Sequence, residues 1–192
     1  MDKILLRKKL LEQRAALPAA EASRLSILIQ KHILANPAWQ RAKQVLIYSP
    51  IRNEVDTKLL FEDALATGKE VLFPRCVPGS AGIMDLAACP GPDALCAGTV
   101  GIMEPCPDIC PALRGADIHP ETAVVPGVGF DRQCGRLGYG AGYYDRILEG
   151  NEFKHSYLIG AAYSFQVVDN LYQDPWDQRL DAIATEEGII IP

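Results

Sequence analysis

The sequence has no uninterrupted apolar stretch near the ~20 residues needed to span a bilayer. Its first segment, MDKILLRKKLLEQR, carries charges through its apolar positions, so no signal peptide is read there. The expectation is a cytoplasmic protein with no membrane partner. Positive charge is not in excess either: 19 basic against 24 acidic side chains leave a net charge of −5. That balance argues against a general nucleic-acid binder, although local basic clusters could still meet phosphate. The six cysteines, Cys76, Cys89, Cys96, Cys106, Cys110 and Cys134, include no Cys-x-x-Cys pair and have no histidine at zinc-finger spacing. Cys106-x-x-x-Cys110 is the nearest approach to a metal motif, and reduced thiols are expected instead. There is no internal repeat, no low-complexity tract, and no Ser-His or Cys-His nucleophile pair.

What remains is an ordinary globular composition. The chain has 192 residues, 48% hydrophobic and 22% charged, which suits one domain over residues 1–192. Residues 2–17 place Ile4, Leu5, Lys8, Leu11 and Ala15 at helical spacing, and Pro18 ends the pattern. A second amphipathic helix fits Ala20 to Leu34. Lys3, Arg7 and Arg14 share one helix face, which by itself reads as a solvated row. Val45 to Tyr48, Glu70 to Arg75, Thr122 to Val125 and Tyr157 to Tyr163 read as apolar strands. A helix over 57–66 separates the first two and implies a right-handed parallel crossover. Shorter strands are predicted at 83–87, 180–186 and 188–191, while residues 76–120, rich in Pro, Gly, Ala and Cys, are hard to assign. The fold class expected is α/β, a single three-layer domain with a mostly parallel sheet and helices on both faces. Ligands in such sheets sit at the carboxyl ends of the strands, which gathers Ser49-Pro50, Pro74-Arg75, Pro126-Gly127 and Tyr163 round one rim.

The most informative stretch is 126–148, PGVGFDRQCGRLGYGAGYYDRIL. After the strand at 122–125 come Gly138, Gly140 and Gly142 in alternation, then Tyr143-Tyr144-Asp145-Arg146-Ile147-Leu148 as the opening of a helix. Alternating glycines permit positive φ and close approach of an anion to backbone amides, and a following helix adds its positive dipole end. Arg136 and Arg146 flank the loop. It is neither of the two commonest nucleotide loops: the dinucleotide fingerprint needs a third glycine where Tyr143 stands, and the Walker Gly-Lys-Ser/Thr is absent.

These pieces together resemble the 5-formyltetrahydrofolate cyclo-ligase family, nearly end to end. The resemblance rests on Lys3 and Arg7, Glu54-Val55-Asp56-Thr57, Gly101-Ile102-Met103-Glu104-Pro105, PGVGFD with RLGYGAGYYDR, Ile159-Gly160 with Gln166, and Asp181 before Thr185-Glu186. It implies that ATP is met by Lys3, Arg7, Arg136 and the loop Leu137, Gly138, Tyr139, Gly140, Ala141, Gly142, Tyr143 and Tyr144. Arg136 and Tyr139 would be catalytic, and Tyr139 would touch both ligands. Ser49, Glu54, Tyr139 and Tyr143 would hold the folate, and Asp145 and Asp181 would bind Mg²⁺. Arg14 stays with the solvated-face reading. A carboxylate such as Glu54 suits the amino-pyrimidinone edge of a pterin, and Mg²⁺ prefers one or two carboxylates plus phosphate oxygens and water. The chain departs from the family pattern at Ala141, at Cys134-Gly135-Arg136 where the glycine has moved by one, and at Leu171-Tyr172 and Trp176-Asp177.

The activity so implied is ATP- and Mg²⁺-dependent conversion of 5-formyltetrahydrofolate to 5,10-methenyltetrahydrofolate by a monomer, through an N5-iminium phosphate, with release of ADP and phosphate. Two other readings stay open at this stage. One is a sugar-phosphate isomerase or acyl transferase of similar build. The other is a non-catalytic nucleotide or folate binder.

Overall fold

A computed structural model of the chain describes residues 2–77, 79–80, 82–98, 101–171 and 178–192. The departures at Tyr172 and at Trp176-Asp177 lie outside the described residues. The chain opens with α1 (Lys3–Ala16), α2 (Ala19–Leu34) and a short α3 (Pro37–Arg41). Asp2 caps α1 by accepting the Leu5 N–H at 2.8 Å, and Pro18 after its last turn prevents continuation. Leu6 and Leu10, four residues apart, lie buried on one face of α1 with Val128, Leu137 and Leu171. Along α2 the same spacing buries Leu25, Ile29 and Ile33, each worth roughly 1.5–3 kcal/mol when fully removed from water. Asn36 caps α3 through Ala38 N, and Pro37 takes the first helical position, where no N–H is needed.

The remaining elements are β1 (Gln44–Leu46), α4 (Lys58–Ala66), β2 (Glu70–Cys76), β3 (Met84–Ala88), β4 (Leu95–Ala97), β5 (Met103–Pro105), β6 (Thr122–Val125), β7 (Gly129–Asp131), β8 (Arg136–Leu137), α5 (Tyr143–Leu148), β9 (Tyr157–Ala161), β10 (Val167–Val168), β11 (Ala182–Thr185) and β12 (Gly188–Ile190). The main sheet runs in the order β12-β11-β9-β6-β1-β2-β3. Its five inner strands are parallel, and β3 and β12 close the two edges antiparallel. Of the inner strands β1, β6 and β11 are buried along their length and β9 from Leu158 on, which is why they read as unbroken apolar runs rather than as alternation. Residues that point to one face join α2, α3 and α4 around Ile29, Trp39 and Leu60. Those that point to the other pack under α5 around Leu148, Phe153 and Phe130. The layered α/β arrangement expected from the pattern is present.

Three local expectations change. The loop after β6 does not run straight into a helix: β7 and β8 form a hairpin first, in a small sheet ordered β10-β7-β8. Asp131 turns it, accepting Gln133 N at 3.0 Å and Gly135 N at 2.8 Å, while Cys134 takes a left-handed φ of +59°. Pro74-Arg75 is not a strand exit. It lies within β2, where Arg75 pairs with Asp85 of β3 at 3.0 Å and donates to Pro105 O and Cys110 O. Finally, not all cysteines are reduced: Cys96 of β4 and Cys106, the residue after β5, are joined in a disulfide with Cα atoms 5.3 Å apart, and Cys76, Cys89, Cys110 and Cys134 are free. Two short antiparallel strands place these two residues near one another, which spacing along the chain does not reveal. No described helix is long and apolar enough to cross a membrane.

Candidate functional site

At the carboxyl ends of β1, β2 and β6 lies a cavity of ≈ 360 Å³, mostly apolar, whose walls include Ser49, Pro74 and Pro126 as the strand order requires. Ile51, Met84 and Ile102 supply apolar surface, and Glu54 stands in it as a buried carboxylate, 8% exposed. The segment after β1 is shaped by Arg52 and Asn53, two successive non-glycine residues with φ of +47° and +63°. Asparagine tolerates that region best among such residues, and here its side-chain amide donates to Arg14 O at 3.0 Å and Leu17 O at 2.9 Å. Those carbonyls lie at the C-terminal end of α1, where Arg14 O also accepts the Leu17 N–H at 3.3 Å. The turn therefore hooks onto α1 and directs Glu54 into the cavity.

Glu54 is held at both oxygens: Oε2 accepts Ile51 N at 3.0 Å and Oε1 accepts the Tyr139 hydroxyl at 2.9 Å. Burial raises its carboxyl above the ordinary value, opposed by the Ile51 N–H, Arg14, Tyr139 and Arg52. Burial, and after it the Glu54 charge, pushes the Tyr139 phenol up to about 12. The Tyr144 phenol is raised as well, burial again leading. Both tyrosines therefore keep their hydroxyl protons at neutral pH, and that of Tyr139 is donated to Glu54. Tyr163 is not on the rim but beneath it, fully buried, with its hydroxyl donating to Glu54 O at 3.3 Å. Gln166 braces the strand exit by donating to Gly127 O and Val128 O, both at 3.0 Å.

The glycine loop separates this cavity from a smaller one of ≈ 120 Å³, lined among others by Lys3, Arg7, Arg136, Leu137, Gly138, Gly140, Gly142 and Asp145. Gly140 and Gly142 have φ of +103° and +69°, so the loop needs glycine there for its path and not only for space. Ala141, Tyr143 and Tyr144 turn to the larger cavity, as do Gly138 and Tyr139. Arg7 reaches across from α1 and donates to Gly138 O at 2.8 Å. Arg136, its side chain 5% exposed, pairs with the Asp145 carboxylate, which is 57% exposed, and lies 5.6 Å over the Tyr144 ring. Arg146 donates to Gly82 O at 2.7 Å and to Ala141 O, so it braces the loop. Because α5 has only six residues, the cations of α1 and β8 and the loop amides outweigh any helix dipole here.

Most of the expected residues thus converge, and beside Tyr163 two further expectations are corrected. Asp181 is not with Asp145: its carboxylate accepts Leu158 N at 2.7 Å at the amino ends of β9 and β11. Asp145 stands at the carboxyl rim, so the two are separated by at least the length of a strand, ~13 Å for four residues. Among the described residues no group of three or more His, Cys, Asp or Glu is placed to hold a metal ion. Arg14 is not solvated: it is 1% exposed and reaches Tyr139. The assignment from sequence also missed Met84, Cys76 and Glu104 on the cavity wall. Glu104 belongs to the Gly101–Pro105 motif and was visible there without a role.

A family model described as the 5-formyltetrahydrofolate cyclo-ligase family matches residues 1–186. A protein of Mycoplasma pneumoniae named 5-formyltetrahydrofolate cyclo-ligase is 32% identical over 190 residues, covering 97% of this chain and 100% of that protein. A probable 5-formyltetrahydrofolate cyclo-ligase of Schizosaccharomyces pombe is 31% identical over 176 residues, 86% of this chain and 85% of the relative. The solved structure of 5,10-methenyltetrahydrofolate synthetase from Aquifex aeolicus superposes with a TM-score of 0.84 at 37% identity, covering 100% of this chain and 93% of that one.

Proposed function

Because the chain belongs to the 5-formyltetrahydrofolate cyclo-ligase family, we propose that its two adjoining cavities bind 5-formyltetrahydrofolate and ATP side by side and join them in one reaction. The protein is a ligase that converts 5-formyltetrahydrofolate to 5,10-methenyltetrahydrofolate with consumption of ATP. The observation that carries the site assignment is Tyr139: it sits on the glycine loop, and its hydroxyl donates to the buried Glu54 of the larger, apolar cavity. Glu54 accepts from the pterin edge, with Ile51, Met84 and Ile102 against the folate body and Ser49 and Tyr143 on the walls. Lys3, Arg7, Arg136 and the amides from Gly138 to Gly142 take the phosphates in the smaller, polar cavity.

In the reaction the formyl oxygen attacks the γ-phosphorus and ADP leaves, giving an N5-iminium phosphate. N10 then attacks the activated carbon, gives up its proton, and phosphate departs with the original formyl oxygen. Phosphoryl transfer of this kind needs positioning and charge neutralisation rather than a protein nucleophile. Arg136 neutralises developing charge from the wall between the cavities, and Tyr139, protonated at neutral pH, fixes the loop against Glu54. Asp145, which lines the polar cavity and is partly exposed beside Arg136, is the one carboxylate there that would hold Mg²⁺, and the ion would supply further charge neutralisation. Asp181 takes no part. Both cavities are built from one chain, which suits a monomer, and the setting that fits this chemistry is the cytoplasm. The test is the absorbance of methenyltetrahydrofolate when protein, ATP, Mg²⁺ and 5-formyltetrahydrofolate are mixed. Binding without product would leave a non-catalytic binder, and turnover without ATP would overturn the ligase reading.

A further inference from the structure

Arg14 is used by no step above, yet its surroundings are those of a site. Its Nε donates to Arg52 O and one terminal nitrogen to Gly127 O, both at 3.1 Å, and the other terminal nitrogen donates to the Tyr139 hydroxyl. The same guanidinium stands 3.8 Å from Glu54 Oε1, with the two side chains 1% and 4% exposed. That separation is too long for a hydrogen bond, so the hydroxyl bridges the pair: it accepts from Arg14 and donates to Glu54. A guanidinium stays charged in a protein, so a full positive charge is sealed beneath the cavity. An arginine whose only task was packing would not need its fork spread over three separate segments that all border the cavity.

We propose that Arg14 is a positioning residue: it aims the Tyr139 hydroxyl at Glu54, supplies the countercharge of that carboxylate, and ties it to the glycine loop. This inference rests on the folate and ATP reading above. Arg7, two turns earlier on α1, grips Gly138 while Arg14 grips Tyr139, so one helix face holds consecutive loop residues, one by its backbone and one by its side chain. The groups that face Glu54 are Arg14 from α1, Tyr139 from the loop, Arg52 from its own segment, and through space the hydroxyls of Tyr48 and Tyr144. Arg14 and Arg52 are the cations among them, and Arg14 is the buried one.

The test compares wild type, Arg14→Gln and Arg14→Lys by steady-state kinetics over pH, with folding checked by circular dichroism. In Arg14→Gln the KM for 5-formyltetrahydrofolate should rise ~10- to 100-fold while the KM for ATP moves less than ~3-fold, since loss of a buried countercharge is felt first by its partner. The acid limb of kcat/KM for the folate should move up by about one pH unit or more. Arg14→Lys, which keeps the charge but not the fork, should return the acid limb close to wild type and leave the folate KM raised. It carries the test alone if Arg14→Gln does not fold. A folded variant with an unmoved acid limb and an unchanged ratio of the two KM values overturns the proposal. Equal rises in both KM values would assign Arg14 to structure alone and overturn it too. A wild-type protein with no turnover would instead remove the folate and ATP reading.

Discussion

Glu54 shows how one buried side chain acts with opposite signs on stability and on binding. Its folded carboxyl is raised above 4.5, first by burial, so the folded protein holds that proton more tightly than the unfolded chain does. The stability it contributes is therefore present below the unfolded value and lost as pH rises through the folded one. On the proposed role of Glu54, folate binding needs the charged form and follows the reverse course, weakening up to ~10-fold per pH unit once pH falls below the folded value. Folate KM and melting temperature measured over the same acid range should therefore rise together as pH falls. At neutral pH Glu54→Gln replaces an acceptor pair by one acceptor and one donor, and the folate KM should rise ~10-fold or more with the ATP KM nearly unchanged. The two aspartates separate in the same way. Asp145→Asn should lower turnover at limiting Mg²⁺ by ~10-fold or more and recover in part at high Mg²⁺. Asp181→Asn should leave the Mg²⁺ dependence of turnover at its wild-type value and cost ~1 kcal/mol in a denaturant titration, because the amide still accepts from Leu158 N but without charge. At this scale the sequence locates at the cavities those residues that sit in a specific motif, as Glu54 and Arg136 do. It fails for Arg14, since a cation on a helical row looks the same whether the row meets water or a neighbouring loop, and only tertiary burial separates the cases.

Among the elements, the glycine loop is the most constrained. Gly140→Ala and Gly142→Ala each force a side chain into a left-handed region at ~1–2 kcal/mol, and at Gly142 the new Cβ would lie 3.0 Å from the Arg146 guanidinium. Either change should lower kcat/KM for ATP more than for the folate, read from initial rates with the other substrate saturating. The long helices and the apolar strands were legible because burial on both faces leaves continuous runs and amphipathic spacing marks α1 and α2. The β7–β8 hairpin was not, for its strands have three and two residues, too short to show a period. The displaced glycine at Cys134-Gly135 also finds its physical reading here: the turn places its left-handed residue at Cys134, so the position that would favour glycine is one earlier than the glycine itself. The hairpin of β4 and β5 carries Ile102 and Glu104 at its edge and is closed by the disulfide, so its reduction should raise the folate KM and leave the ATP KM alone.

For the molecule as a whole, two cavities that share a loop predict that occupancy of both raises the melting temperature by more than the sum of either alone, a comparison that thermal scans with 5-formyltetrahydrofolate and a non-hydrolysable ATP analogue make directly. The layered sheet was readable from the order of its elements; which side chains meet at its rim was not, because that depends on which strands become neighbours, and β6 lies between β1 and β9 although α4 and four strands come between β1 and β6 in the chain. The same non-local order bears on the ribosome. Arg7 meets its partner 131 residues later in the chain and Arg14 its own 125 residues later. While the protein is being synthesised, α1 can coil early, since its own hydrogen bonds are local, but the surface it is meant to cover does not yet exist. Closing so long a loop is entropically unfavourable and comes after local structure has formed. In refolding, helical signal should therefore return before any turnover does, and a nascent chain that has not yet extruded the segment around Tyr139 should carry a helix in waiting rather than half an enzyme.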